Sequence, residues 1–324
     1  MLAAALAAVW IAAAGAQAPA PAIIPPPAWA YGIAAPGETV AEPHVSETEP
    51  LRVPGSDRTF TLSQIEEPYG PADWFPGDHP PMPGIVASGR KPEVRACATC
   101  HYPNGKGRPS NGSVSGLPVA YFIQAVDDFK NGLRKHAETR KANVNLMVAI
   151  AKALTPEETR AAAEYYGAIR WTPWIRVVET EMVPVARPAG FIYYPLEGNK
   201  TEPIGMRIVE VPENPLQTEP LRNPRSGFIA YAPPGSIEKG KALVTTGGGG
   251  RTMACGLCHG ADLNGAGNVP GIAGRSPSYL ARQMYDMLAG TRNGPGAALM
   301  KQAVANLTEE DFVAITAYVA SRTP

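Results

Sequence analysis

The sequence predicts a mainly α-helical chain: two copies of one helical domain, a Pro-rich N-terminal arm ahead of them, and a small β-rich or irregular insert between them. Three observations carry this. Matching residues recur in step through two separate stretches, the mark of duplicated units. Each copy ends in a block that opens with a helix-start signal. The 35 Pro and 33 Gly among 324 residues break the remainder into loops, which leaves the helices clustered in the copies. Charged residues are 18% of the chain and the formal net charge is zero. That gives no electrostatic case for nucleic acid or an anionic membrane surface.

Taken in order, residues 1–16 (MLAAALAAVWIAAAGA) carry no charged side chain and end in Ala14-Gly15-Ala16. The stretch is short of the roughly 20 residues that span a bilayer. It reads as an export signal cut after Ala16, with Ala18 the next choice and a retained anchor the other reading. Nothing later reads as a membrane span, so none is expected after cleavage. Residues 17–82 form the arm. It starts as an extended tether around Pro25-Pro26-Pro27, while Trp29, Tyr31, Phe60, Trp74 and Phe75 predict that parts of it pack onto a domain.

The copies occupy 83–170 and 236–324. Asp128 aligns with Asp286, Gly132 with Gly290 and Arg134 with Arg292, while upstream Gly107 matches Gly265 and Gly116 matches Gly274. After a loop five residues longer in the first copy, Met147 falls on Met300, Leu154 on Leu307, Thr155 on Thr308 and Tyr165 on Tyr318. Thr155-Pro156-Glu157-Glu158 is a capping box with Pro at the first helical position. Thr308-Glu309-Glu310-Asp311 is its weaker equivalent, with acidic residues favoured by the dipole. Ala161, Ala162, Tyr165 and Ile169 give one buried face of the first closing helix, and Phe312, Ile315 and Val319 give that of the second. Residues 121–130 and 279–288 read as helices closed by Gly132 and Gly290. Between the copies, 171–235 holds short β-type runs at 175–185, 207–211 and 227–231, separated by breakers such as Pro184, Pro212 and Pro233. This segment reads as an inter-domain spacer, with a partner-docking module as the alternative.

All four cysteines fall in two pentapeptides, Cys97-Ala98-Thr99-Cys100-His101 and Cys255-Gly256-Leu257-Cys258-His259. Cys-x-x-Cys-His is the attachment signature of c-type haem, with two thioether bonds and the His beneath the iron. A structural zinc site gathers two such pairs within about 15–20 positions. Here 155 positions separate Cys100 from Cys255. A thioredoxin-like motif needs a βαβ pattern that the chain lacks. Two covalent haem c groups are the reading that remains.

A haem held by one His has a sixth iron site, usually filled by Met or His. Besides His101 and His259, the chain has His44, His79 and His136, and none of these recurs in the second copy. Met147 and Met300 do recur, each placed on a loop ahead of the closing helix. A core methionine explains one such residue; two in register point to ligation. The metal ligands predicted are therefore His101, Met147, His259 and Met300, with Cys97, Cys100, Cys255 and Cys258 tethering the porphyrins. The loop residues Arg134, Lys135, Arg140 and Lys141 form a basic cluster, either simply solvated or steering an acidic partner.

With these motifs each copy resembles a class I c-type cytochrome domain. The chain as a whole resembles the dihaem cytochromes c of bacterial periplasms. The likeness covers about 170 residues. The first copy departs ahead of its motif, where 89–96 with Pro92 stands in place of the helix that 237–243 supplies in the second. The resemblance implies covalent haem c, His/Met ligation and one-electron transfer without catalysis. The redox protein partners would be a dehydrogenase as donor and an oxidase or another cytochrome as acceptor. Two other functions are carried forward. One is a dihaem peroxidase whose first haem is open or His-ligated, with His136 as the polar group. The other is a cytochrome subunit of a dehydrogenase complex.

Overall fold

The computed structural model describes residues 25–38 and 43–324; the export-signal segment lies outside them. The arm contributes two short helices, α1 (Ala28–Tyr31) and α2 (Leu62–Glu66). A first helical group follows: α3 (Gly84–Ala87), α4 (Cys97–His101), α5 (Val119–Lys130), α6 (Asn143–Ala153) and α7 (Pro156–Gly167). The middle segment runs β1 (Ile175–Glu179), β2 (Met182–Pro184), β3 (Ala186–Ala189), β4 (Ile192–Pro195), β5 (Thr201–Pro203), β6 (Val209–Pro212), α8 (Pro215–Thr218) and β7 (Phe228–Ala232). The last group is α9 (Ser236–Thr246), α10 (Gly256–His259), β8 (Gly265–Ala266), β9 (Val269–Pro270), α11 (Pro277–Leu288), α12 (Ala298–Val304) and α13 (Glu309–Ala320). No helix among the described residues is long and apolar enough to cross a membrane.

Local signals set the helix ends. Thr155 accepts from Glu158 N while Glu158 caps back, and Thr308 and Asp311 do the same at α13. The second box is thus complete with Asp in the third position. Gly132 and Gly290 follow α5 and α11 with φ of 70° and 75°, the left-handed turn that ends a helix. Ahead of the first motif the chain makes only the single turn α3, whereas α9 runs three turns ahead of the second.

Each helical group closes on its own apolar core. Ile85, Val86, Val94, Val126, Leu154, Ala162, Tyr166 and Ile169 form one. Leu243, Val244, Tyr285, Val304, Leu307, Phe312, Ile315 and Val319 form the other. A fully buried side chain of this kind contributes about 1.5–3 kcal/mol.

The middle segment is more than a spacer. In its three-stranded sheet β7 is central, parallel to β1 and antiparallel to β6, with Ile175 opposite Phe228 and Val211 opposite Ile229. Ala230 and Ala232 of β7 pack with Trp29 and Tyr31 of α1 against Val313 and Ala317 of α13. Further along the arm, Val53, Ile65, Trp74 and Phe75 cluster with Leu221, and Trp74 Nε1 donates to Leu221 O at 2.7 Å. Trp29, Tyr31, Trp74 and Phe75 of the arm are therefore core residues, with Phe60 packed half-buried beside Trp74. Their partners lie far away in sequence.

Asp311 ties α13 to its surroundings. It caps the helix, accepts from Arg251 Nη1 at 2.9 and 3.0 Å, and lies 3.3 Å from Lys239 Nζ. Burial opposes its charge, but the Thr308 and Arg251 donors outweigh burial and hold its carboxyl below the usual range. A depressed carboxyl contributes stability that is present above its unfolded pKa, roughly 4, and is lost as pH falls through the folded value. Asp311→Ala is expected to cost about 1–3 kcal/mol and to flatten the acid limb of stability. Thermal melts of both proteins between pH 3 and 7 check this.

Candidate haem sites

The Cys-x-x-Cys-His segments fold as single helical turns. Spacing i, i+3, i+4 places both sulfurs and the imidazole on one helix face. His101 Nδ1 lies 3.1 Å from Gly112 O, and His259 Nδ1 lies 2.8 Å from Pro270 O. Both carbonyls stand eleven residues after their His, so the repeat preserves the acceptor although the residue changes from Gly to Pro. A carbonyl can only accept, so Nδ1 carries the proton and Nε2 keeps a free lone pair. Burial holds both imidazoles below the usual histidine range. Burial also pushes the Cys97 thiol up to about 12 and the Cys255 thiol up to about 11, the character of cysteines that are not thiolate nucleophiles.

A cavity with about 1400 Å³ of free space, partly open to solvent, holds Cys97, Cys100, His101 and Met147 in its wall together with Leu117, Phe122, Val126, Phe129, Ile150 and Leu154. Arg282 Nε, Ser110 Oγ and Asn143 Oδ1 are buried without a hydrogen-bond partner, and all three residues line this same cavity. Orphaned buried donors are costly. An apolar ring system with anionic tails suits the greasy wall and can accept from Arg282 Nε and Ser110 Oγ, whereas Asn143 Oδ1 is an acceptor that such tails do not serve; the residues fit haem c. In the last helical group Cys255 and Met300 pack against the apolar core beside Leu280 and Met284, and His259 is buried. Among the described residues, no group of three or more His, Cys, Asp or Glu is placed to hold a metal ion, so the two cysteine pairs are not joined in one zinc site.

The methionines differ in setting from the sequence expectation. Met147 lies inside α6 and Met300 inside α12, not on loops. Both helices begin at Ala residues in the αR region with no side-chain cap, so no start signal marks them. Met147 shares the cavity with His101; Met300 is half-buried on the second core.

The basic loop also departs from expectation. Arg134 Nη2 donates to Gln283 Oε1 at 2.8 Å and to Tyr279 Oη at 3.2 Å. Lys141 is fully buried, its Nζ 4.3 Å from the Phe191 ring centroid. Arg140 is held by Glu138 of its own loop. Arg134 is thus built into the contact between the two helical groups and Lys141 is buried against the middle segment, while Lys135 and Arg140 stay exposed.

That contact is reciprocal. Arg292 Nη2 donates to Tyr121 Oη at 2.8 Å, the mirror of Arg134 with Tyr279. Arg134 and Arg292 face each other across an antiparallel bridge, flanked by Lys135 N to Thr291 O and Asn293 N to Leu133 O. Residue i meeting j and j meeting i is the pattern of a two-fold interface, here within one chain. The symmetry breaks at Gln283, which accepts from both arginines while Ala125 stands at its equivalent, and again at Asp286. Asp286 accepts from His136 Nδ1 at 2.8 Å, Ala137 N at 2.8 Å and Tyr31 Oη at 2.7 Å. At the equivalent of His136 stands Gly294, where a Cβ would fall 2.0 Å from Asp128 Oδ2. His136 lines the cavity, but its Nδ1 is committed to Asp286. That bond ties His136 into the interface through one ring nitrogen. Tyr121 is the repeat equivalent of Tyr279 as Arg134 is of Arg292, and their crossed pairs join residues 145 and 171 positions apart.

The two motifs differ in cover. Thr99 is buried, donating through Oγ1 to Pro68 O of the arm, and Ala96 N reaches the same carbonyl. Leu257, the same position in the second motif, is 77% exposed.

A family model described as cytochrome c matches residues 237–323. Cytochrome c-554(548) of Halomonas halodenitrificans is 36% identical over 69 residues, 21% of this chain and 83% of that protein. The thiosulfate dehydrogenase electron acceptor of Thiomonas intermedia is 25% identical over 234 residues, 71% of this chain and 80% of that protein. Cytochrome c4 of Azotobacter vinelandii is 36% identical over 84 residues, 24% of this chain and 40% of that protein. The match thus spans less than half of that cytochrome c4.

Proposed function

The chain belongs to the cytochrome c family, and from that premise we propose that it is an exported, periplasmic dihaem electron carrier with two His/Met-ligated haem c groups. One observation carries the reading. In both repeats the motif His turns Nδ1 onto a backbone carbonyl eleven residues on, at 3.1 and 2.8 Å, which leaves Nε2 for a metal in each. Cys97, Cys100, Cys255 and Cys258 would hold the two groups covalently, His101 and His259 would be proximal ligands, and Met147 and Met300 distal ones. Haem c, when bound, supplies reversible one-electron Fe(III)/Fe(II) exchange.

The chain's own part is to fix geometry and exclude water. The Gly112 and Pro270 carbonyls hold each imidazole in one tautomer and orientation. Phe122, Val126, Phe129 and Leu154 keep the first cavity apolar. Arg282 and Ser110 offer buried donors to carboxylate tails. A thioether in the sixth position favours the reduced state and raises the potential relative to a second imidazole. Electrons would come from a dehydrogenase and leave to an oxidase or another cytochrome. The likeness to a protein named as the electron acceptor of thiosulfate dehydrogenase supports a dehydrogenase donor, whether the chain works freely or as a subunit.

The test is a spectroscopic redox titration of the mature protein, with and without peroxide. Two one-electron waves, low-spin spectra in both states and no peroxide turnover are expected. A high-spin haem with peroxide turnover would replace the carrier by the enzyme.

A further inference from the structure

Arg275 stands between Gly274 and α11, 4% exposed. Its hydrogen bonds run to backbone carbonyls on two separate loops. Nη2 donates to Ser115 O at 2.8 Å and Nη1 to Ser113 O at 3.3 Å, both just past Gly112, the acceptor for His101. Nε donates to Gly271 O at 3.3 Å, the residue after Pro270, the acceptor for His259. The guanidinium carbon lies 4.4 Å from the Trp171 ring centroid, and Trp171 Nε1 donates to Ala273 O at 3.1 Å, which closes the seat. A Cβ on Gly112 would fall 2.5 Å from Tyr279 Cε2, so the first loop is wedged against the second helical group at the same place. The equivalent residue of the first repeat is Leu117. The clamp is therefore single, while the loops it holds are duplicated.

Resting on the ligand reading above, we infer that Arg275 is a positioning residue: one guanidinium ties together the two loops that carry the carbonyls orienting the proximal histidines, and so sets the two haem potentials together. The chemistry follows from the Nδ1–H to carbonyl bond. A firm bond raises the basicity of the ligand and with it the stability of Fe(III), which lowers the potential. Arginine is suited to this because its planar fork donates in several fixed directions at once; an ammonium is a point donor on a flexible stem. Burying a cation whose hydrogen bonds all go to neutral carbonyls is expensive, and a site that fills no other purpose is better served by the leucine of the first repeat.

Arg275→Lys keeps the charge and removes the fork, so it isolates geometry. In the holoprotein both midpoint potentials are expected to rise together by about tenfold in the reduction equilibrium, about 59 mV for one electron. The proximal ring N–H of both His101 and His259 should exchange faster with solvent in nuclear magnetic resonance. Should Arg275→Lys fold poorly, Arg275→Gln gives the same paired readout in ring N–H exchange. A lowered melting temperature with both potentials and both exchange rates unmoved overturns the inference, because a purely structural arginine behaves that way. A change at one haem alone overturns it too. Absence of covalent haem from the unmodified protein is a different failure, that of the ligand reading itself.

Discussion

Cys255→Ala with Cys258→Ala is expected to halve the covalent haem of the mature protein. Haem staining after denaturing electrophoresis should fall to about half, and the intact mass should drop from the chain plus two haems to the chain plus one. The retained group belongs to the first motif, because Cys97 packs on a separate apolar core with Val94, Val126 and Tyr166, and Cys100 lines the cavity beside it. The second core should suffer. Cys255 packs against it with Leu280, Met284 and Met300, and these side chains lose a partner that would have covered them. Loss of covalent haem at both motifs in the double variant would show that the first depends on the second. Zinc or no covalent haem in the unmodified protein, matured with its haem-attachment system, would end the cytochrome function altogether.

The second large effect belongs to the sixth ligands. Met300→Ala should abolish one share of the long-wavelength sulfur-to-iron absorption in the oxidised protein, open that haem to carbon monoxide or imidazole, and lower its potential, because the soft thioether stabilises Fe(II). Met147→Ala should do the same to the other haem. Each leaves its neighbour's potential nearly in place. A methionine that only filled space would behave otherwise. Its truncation would lower stability through a cavity and leave the absorption intact.

Much of this architecture is legible in the sequence, and the reasons are local. Thr155, Thr308, Gly132 and Gly290 announce helix ends because capping and left-handed turns are decided within four residues. The haem-attachment motifs are read as easily, since five consecutive residues hold both sulfurs and the imidazole. What stayed hidden is settled over long range or has no start signal. Helices α6 and α12 open on uncapped alanines, so Met147 and Met300 read as loop residues. Lys141 and Arg134 look solvated because their partners, Phe191 and Tyr279, are far off in sequence. The parallel pairing of β1 with β7 joins strands about fifty residues apart, which no short window reveals. Nothing in its own sequence neighbourhood marks Arg275, whose partners Ser113 and Ser115 lie about 160 positions away.

Tyr279, Arg282, Gln283 and Asp286 of α11 complete the cavity that holds the first motif. Duplication usually leaves modules that can be cut apart and studied singly, but here the first repeat borrows a wall from the second. A fragment ending in the middle segment would carry its cysteines, its histidine and its methionine, yet present its cofactor crevice to water along one side. The unit that would shield a haem at the first motif is larger than the unit that repeats in the sequence.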